Sequence, residues 1–223
     1  MLRLERQRML FAGQGFEKDL TVHDGRNMAR SAAGNKSKPP AVFGLRPRGG
    51  GARLPPVKIG VLSDTHNHLR ESRFALDALV KHGATHLVHC GDAGEEVVEL
   101  LAAVCLEHGL RAHVALGNCD RGHGDEFRFA PQPAGVERGV SPEFILDGKR
   151  CVAVHGDNAH RLENVSTSGE FDYVFTGHTH ARAERRIGKT RVLNPGSPVR
   201  PRGGPPSVAL LDLDTGEVRW LVL

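Results

Sequence analysis

Hydrophobic positions recur along this chain at two periods, and the switches between them mark its elements. "VKIGVLSD" (57–64) is a short apolar run closed by a carboxylate, the pattern of a buried strand. "RFALDALVKHG" (73–83) sets Phe74, Leu76, Leu79 and Val80 at helical spacing, with Gly83 as the stop. "THLVHCGD" (85–92) predicts a second strand, "EEVVELLAAVCLEHG" (95–109) a second helix closed by glycine, and "AHVALGNCD" (112–120) a third strand. The order β-α-β-α-β implies a parallel sheet with crossover helices.

The later pattern is β-rich and partly antiparallel. "EFILDGKRCVAVHG" predicts a hairpin turning at Asp147–Gly148, and "YVFTGHTH" another strand. "ERRIGKTRVLNPGS" predicts a hairpin about Gly188–Lys189, and "SVALLDLDTGEVRWLVL" a third about Thr215–Gly216. Residues 57–223 form one predicted domain, long enough for a single core that buries roughly 70% of the unfolded surface.

Residues 1–56 differ in kind. They hold eleven Lys/Arg against four Asp/Glu, a balance of +7, whereas the whole chain carries +4. Stretches such as "SAAGNKSKPP" and "LRPRGGGARLPP" have little apolar periodicity, so the segment reads as a basic, mostly disordered extension. The "GQG" at Gly13 is no dinucleotide loop, because no strand leads into it. A solvated leader, or a start placed too far upstream, is one reading of the extension. A tail that touches nucleic acid or anionic lipid is the other. The chain has no apolar run of about 18 residues to span a membrane, and no apolar h-region at its start. Cys90, Cys105, Cys119 and Cys151 form no CxxC, which argues against a zinc ribbon or disulfide framework and for a reducing, cytoplasmic setting.

Candidate chemistry sits where the predicted strands end. Asp64 and His66 follow the first strand, Asp92 the second and Asn118 the third; His155 follows the hairpin return, and His178 and His180 the later strand. Ligands gather at such strand ends in sheet proteins. Glycines beside them (Gly91, Gly117, Gly156, Gly177) let the backbone turn and approach an ion. Carboxylates, imidazoles and one amide oxygen suit manganese, iron, zinc, nickel or cobalt better than calcium. Seven donors are too many for one ion. With Asp92 as a bridge they divide into two groups of four, a binuclear site. An extended "HTH" would point His178 and His180 the same way, toward ions about 3.5–4 Å apart. Taken singly, each motif has a plain structural reading; the ordered set at strand ends carries the weight.

The order "DTH", "GD", "GNCD", "HG", "GHTH" resembles the calcineurin-like metallophosphoesterase superfamily, and the "GNCD" form its small bacterial and archaeal phosphodiesterase branch. The resemblance runs from about Val57 to Leu223 and implies an α/β fold of two mixed β-sheets packed as a sandwich and flanked by helices. It implies two divalent metal ions, manganese foremost. Asp64, His66, Asp92 and His180 would hold one, and Asp92, Asn118, His155 and His178 the other. A hydroxide shared by the ions would attack a phosphodiester in line, so Asp92 and Asn118 act in catalysis through it. Much of the superfamily carries histidine where this chain has Cys119, so the leaving group needs little protonation or another donor: His68, His123 and His160 are candidates. Asp120 orients a ligand from behind or caps a turn. The turn Asn194–Ser197 shapes the pocket, with Arg200 or Arg202 near phosphate. A small-molecule phosphodiester is the expected substrate, with a phosphomonoester or nucleotide pyrophosphate as the alternative. A retromer subunit keeps this fold as a protein-binding scaffold with a degraded site; all seven positions here carry competent ligands.

Overall fold

The computed structural model describes residues 41–43, 55–121 and 132–223. His123 and most of the basic extension lie outside the described residues. In chain order the strands are β1 (Ala41–Phe43), β2 (Lys58–Leu62), β3 (His86–His89), β4 (Arg111–Ala115), β5 (Val136–Gly139), β6 (Glu143–Leu146) and β7 (Lys149–Ala153). They continue with β8 (Tyr173–Phe175), β9 (Arg182–Ile187), β10 (Thr190–Pro195), β11 (Ser207–Asp212) and β12 (Val218–Val222). The helices are α1 (Leu69–Lys81), α2 (Glu95–His108), the single turn α3 (Asn118–Arg121) and α4 (Ala159–Thr167).

Two six-stranded mixed sheets result, ordered β12-β11-β2-β3-β4-β5 and β1-β6-β7-β8-β10-β9. β2, β3 and β4 run parallel, as the βαβαβ pattern predicts; β5 adds a further parallel strand beside β4, and β11 closes on β2 antiparallel. The three predicted hairpins are present as β6–β7, β9–β10 and β11–β12. Strand β1 pairs in parallel with β6, so three residues of the compositionally distinct extension join a sheet edge.

Side-chain alternation builds three apolar layers. Ile59, Val61 and Val88 face inward against Phe144, Cys151, Ala153 and Phe175 of the other sheet. Leu62 and Leu87 face outward into the layer beneath α1 and α2. Val152, Val154 and Val174 point the other way, with Leu162 and Val165 of α4 packed on them. This is a period-two strand read on both faces.

Two expectations change. Helix α1 buries Ser72, Ala75, Leu76 and Leu79, whereas Phe74 is 60% exposed. Two residues from Leu76 is about 200° of helical turn, so Phe74 lies on the opposite face. Strand β5 and helix α4 carry weak apolar patterns, which hid them. β5 is "VERG", and Arg138 is held there by Glu95 at 3.0 Å.

Candidate metal centre

Parallel strands place their C-terminal ends on one side of a sheet. The loops after β2, β3 and β4 in one sheet meet those after β7 and β8 in the other, and all seven predicted donors converge there. His180 Nε2 lies 3.4 Å from Asp64 Oδ1 and 3.4 Å from His66 Nε2. His155 Nε2 lies 3.3 Å from Asp92 Oδ2, 3.1 Å from Asn118 Oδ1 and 4.0 Å from Asp64 Oδ1. The His66 and Asp92 donor atoms are 4.0 Å apart. His178 stands further out, exposed, with its ring 5.1 Å from that of His155.

The backbone reaches this arrangement through an uncommon conformation. Asp64, His66, Asp92, His178 and His180 all have positive φ, between 45° and 65°. Non-glycine residues rarely adopt it, and such residues cluster at functional sites. The expected reason for the pairing of His178 and His180 is therefore corrected. Strand β8 ends at Phe175, and the two rings are aimed by left-handed loop residues, not by strand alternation.

Close approach needs glycine at two points. A Cβ on Gly117 would fall 2.1 Å from Asp92 Oδ1, and one on Gly91 would fall 2.6 Å from the His155 ring. The loops are braced from behind. Asp120 is buried; its carboxylate accepts N–H groups of Gly117 at 2.8 Å and Gly94 at 3.0 Å, tying the loop after β4 to the one that carries Asp92. Ser197 donates to the Asp64 carbonyl at 3.0 Å, and Asn194 donates to the Gly177 carbonyl at 2.8 Å, so the Asn194–Ser197 turn holds both the "DTH" and the "GHTH" loops. The Arg200 carbonyl accepts from His180 Nδ1 at 2.8 Å.

These partners fix which ring nitrogens are free. His155 Nδ1 donates to the Cys90 carbonyl at 2.9 Å, leaving Nε2 to face Asp92 and Asn118. His180 Nε2 is freed in the same way. Nitrogen and oxygen atoms of imidazole, carboxylate and amide thus converge, an arrangement that a bound cation would hold together. The donor set fits divalent metal. Groups able to share an ion include Asp64 with His66 and His180, and Asp64 with Asp92 and His155.

The electrostatics follow from burial and neighbours. Burial raises the Asp64 carboxyl above its ordinary range. Burial opposes charge on Asp92 too, but the His155 imidazole and the Cys119 N–H outweigh it and hold the carboxyl well below its usual value. For His155 the Asp92 and Asp64 carboxylates outweigh burial and raise the imidazole. Burial lowers His66. Burial and Asp92 push the Cys119 thiol up to about 11.

Of the other predicted acids, His160 is exposed at the start of α4, and His68 is half-buried before α1, its carbonyl accepting from Ser72. One contributor escaped notice. His89 is buried and its pKa is lowered to about 4 by burial; Nδ1 accepts the Gly91 N–H at 3.2 Å, and Nε2 contacts Thr65 Oγ1 at 2.9 Å. A neutral ring here splints the two carboxylate-bearing loops. Its signal was its place one residue before "CGD" inside a buried strand.

Fold and donor set together define an α/β sandwich with a metal centre at its strand ends. The chain belongs to the calcineurin-like phosphoesterase superfamily, whose domain model matches residues 57–216. It is 31% identical over 173 residues to phosphodiesterase MJ0936 of Methanocaldococcus jannaschii, covering 75% of this chain and 99% of that protein. It is 28% identical to phosphodiesterase YfcE of Escherichia coli, over 71% of this chain and 89% of the relative. A solved archaeal phosphodiesterase superposes with a TM-score of 0.64 at 28% identity, covering 75% of this chain and all of that one.

Proposed function

We propose that residues 57–223 form a metal-dependent phosphodiesterase domain with a binuclear centre, and that residues 1–56 are an extension from which Ala41–Phe43 join the edge of one of its sheets. The observation that carries this reading is the convergence of imidazole nitrogens on two buried carboxylates, in a superfamily member whose named relatives are phosphodiesterases. Asp64, His66, Asp92 and His180 hold one divalent cation, and Asp92, Asn118, His155 and His178 the other. Manganese suits this set first; nickel, zinc, iron and cobalt share its preferences. Bound there, such cations acidify water and neutralise charge on the phosphoryl oxygens.

The chain's own groups do the rest. Asp92 is kept ionised by its neighbours and lies between the two donor groups. The exposed Asn118 amide sits at the mouth, where its oxygen meets His155 and its Nδ2 faces outward beside Cys119. A thiol with pKa near 11 is a poor acid, so Cys119 favours leaving groups that depart without a proton. A small-molecule phosphodiester with an acidic leaving group is the substrate class this supports. Free thiols at all four cysteines support a reducing, cytoplasmic setting. Among the described residues no helix is long and apolar enough to cross a membrane.

The test is hydrolysis of bis-p-nitrophenyl phosphate after chelation, with Mn²⁺, Ni²⁺, Zn²⁺ or Mg²⁺ restored, in the native chain and in Asp92→Ala. Metal-restored turnover that falls at least ~10³-fold in the variant is expected, about 4 kcal/mol of transition-state stabilisation. A folded, ion-binding chain with no turnover under any metal would sink the enzyme reading and favour a protein-binding scaffold.

A further inference from the structure

A cavity opens beside the candidate centre. It has a volume of about 320 Å³, and His155 forms part of its wall. Val140 and Val154 give it an apolar side, and Arg121, Asp157 and Arg161 a charged one. A volume of this order suits a small organic group.

The two arginines are not equivalent. Arg121 is ion-paired with Asp157, and its other nitrogen donates to the Leu116 carbonyl at 2.8 Å. Its charge is answered within the protein, and it serves as a fixed wall. Among the described residues the Arg161 guanidinium meets only the Ser141 hydroxyl, at 3.3 Å. Among the described residues, then, one cation without a carboxylate partner faces the cavity that His155 also lines. Its planar fork of donors matches a phosphate monoester, and the apolar residues of the same cavity suit the base carried by a sugar that joins two phosphates.

We propose that this cavity is a second-phosphate subsite. The preferred substrates are then phosphodiesters that carry another phosphate monoester, of the kind found in nucleotide bisphosphates, with Arg161 setting the preference. The inference rests on the phosphodiesterase reading and adds substrate class to it. Arg161 does not touch the reacting atoms. It is a specificity residue, on an exposed helix where its substitution leaves the core intact.

The experiment compares affinities for thymidine 3′,5′-bisphosphate and thymidine 5′-monophosphate by calorimetry on the Mn²⁺-supplemented full chain. Bis-p-nitrophenyl phosphate turnover is measured on the same preparations. The bisphosphate is expected to bind the native chain about 10- to 100-fold more tightly, the range of one good charge-assisted contact. Arg161→Ala should bring that ratio close to one, and Arg161→Lys should leave it intermediate. Lys81→Ala, an equal change of charge on the last turn of α1, should leave it at the native value. A native ratio near one, or a ratio unchanged in Arg161→Ala, overturns the subsite and leaves the diesterase standing. Absence of diester turnover in the native chain overturns the diesterase reading, and with it the cavity as a substrate site.

Discussion

Strand β4 and the end of β7 each bury a histidine, and the surroundings treat the two rings in opposite ways. His113 lies between the sheets, stacked on Phe144 with centroids 3.9 Å apart and planes within 3°. Burial, aided by His86 and Arg111, pulls its pKa down to about 4. His155 is buried just as fully, yet its imidazole is raised, because Asp92 and Asp64 outweigh the loss of water. Burial alone expels charge from an imidazole. Burial beside two carboxylates creates a place for a cation. The contrast separates a core histidine from a candidate ligand by physics, where residue type cannot.

The sharpest way to break that contrast is to exchange the two rings for neutral groups and compare the damage. His155→Ala removes a donor facing Asp92 and Asn118, and should lower kcat/KM on bis-p-nitrophenyl phosphate by about 10²-fold or more, near 3 kcal/mol. His113→Phe keeps an aromatic ring stacked on Phe144, slightly larger than the imidazole, and removes the ring nitrogens with their approach to Glu137 at 3.7 Å; it should stay within about threefold of the native activity, with the far-UV spectrum unchanged. Similar losses in both variants would show that the two regions do not differ in role.

The sequence carried the site further than it carried the fold's edges, for a physical reason. Donors at strand ends are short local motifs, and "DTH", "GD", "GNCD", "HG" and "GHTH" stand beside apolar runs whose period is plain. The alternating strands β6 and β7 and their Asp147–Gly148 turn were legible for the same reason. Strand β5 was not, because its buried Arg138 depends on Glu95, 43 residues away in sequence. Nor was the splinting role of His89, which depends on Thr65 and Gly91 meeting across two strands. The aim of His178 and His180 was anticipated from the wrong cause. Left-handed backbone at a histidine is set by the loops that hold it, here through Asn194, and no local pattern announces it. Phe74 misled because it is apolar and one helical face out of phase.

Metal addition probes the site half of the contrast without turnover. A ligand that binds only the folded chain stabilises it by about 2.7 kcal/mol at 100 times its Kd. For a domain of this size that is a rise in Tm of roughly 5–10 °C. Mn²⁺ added to chelated protein should produce such a rise in the native chain and in His113→Phe, and little of it in His155→Ala or Asp92→Ala. A rise of equal size in all four proteins would place the bound ions somewhere other than the strand ends.

The smallest effect tests the core half. His113 has its folded pKa depressed, to about 4 from an ordinary 6.5. Between those values the unfolded chain binds a proton that the folded chain refuses, so stability is lost as pH falls through the window and is complete above it. At pH 5.5 the contribution of His113 is about 1 kcal/mol, worth roughly 2–4 °C in Tm. His113→Phe has no such proton to refuse. Its Tm relative to the native chain should therefore climb by that amount between pH 7.5 and 5.5. His89, lowered to about 4 as well, leaves a slope of the same sign in both proteins, so only the difference between them is diagnostic. Parallel pH profiles would mean that the ring stacked on Phe144 takes up its proton as readily folded as unfolded. The core would then tolerate the charge that its burial, together with His86 and Arg111, otherwise excludes.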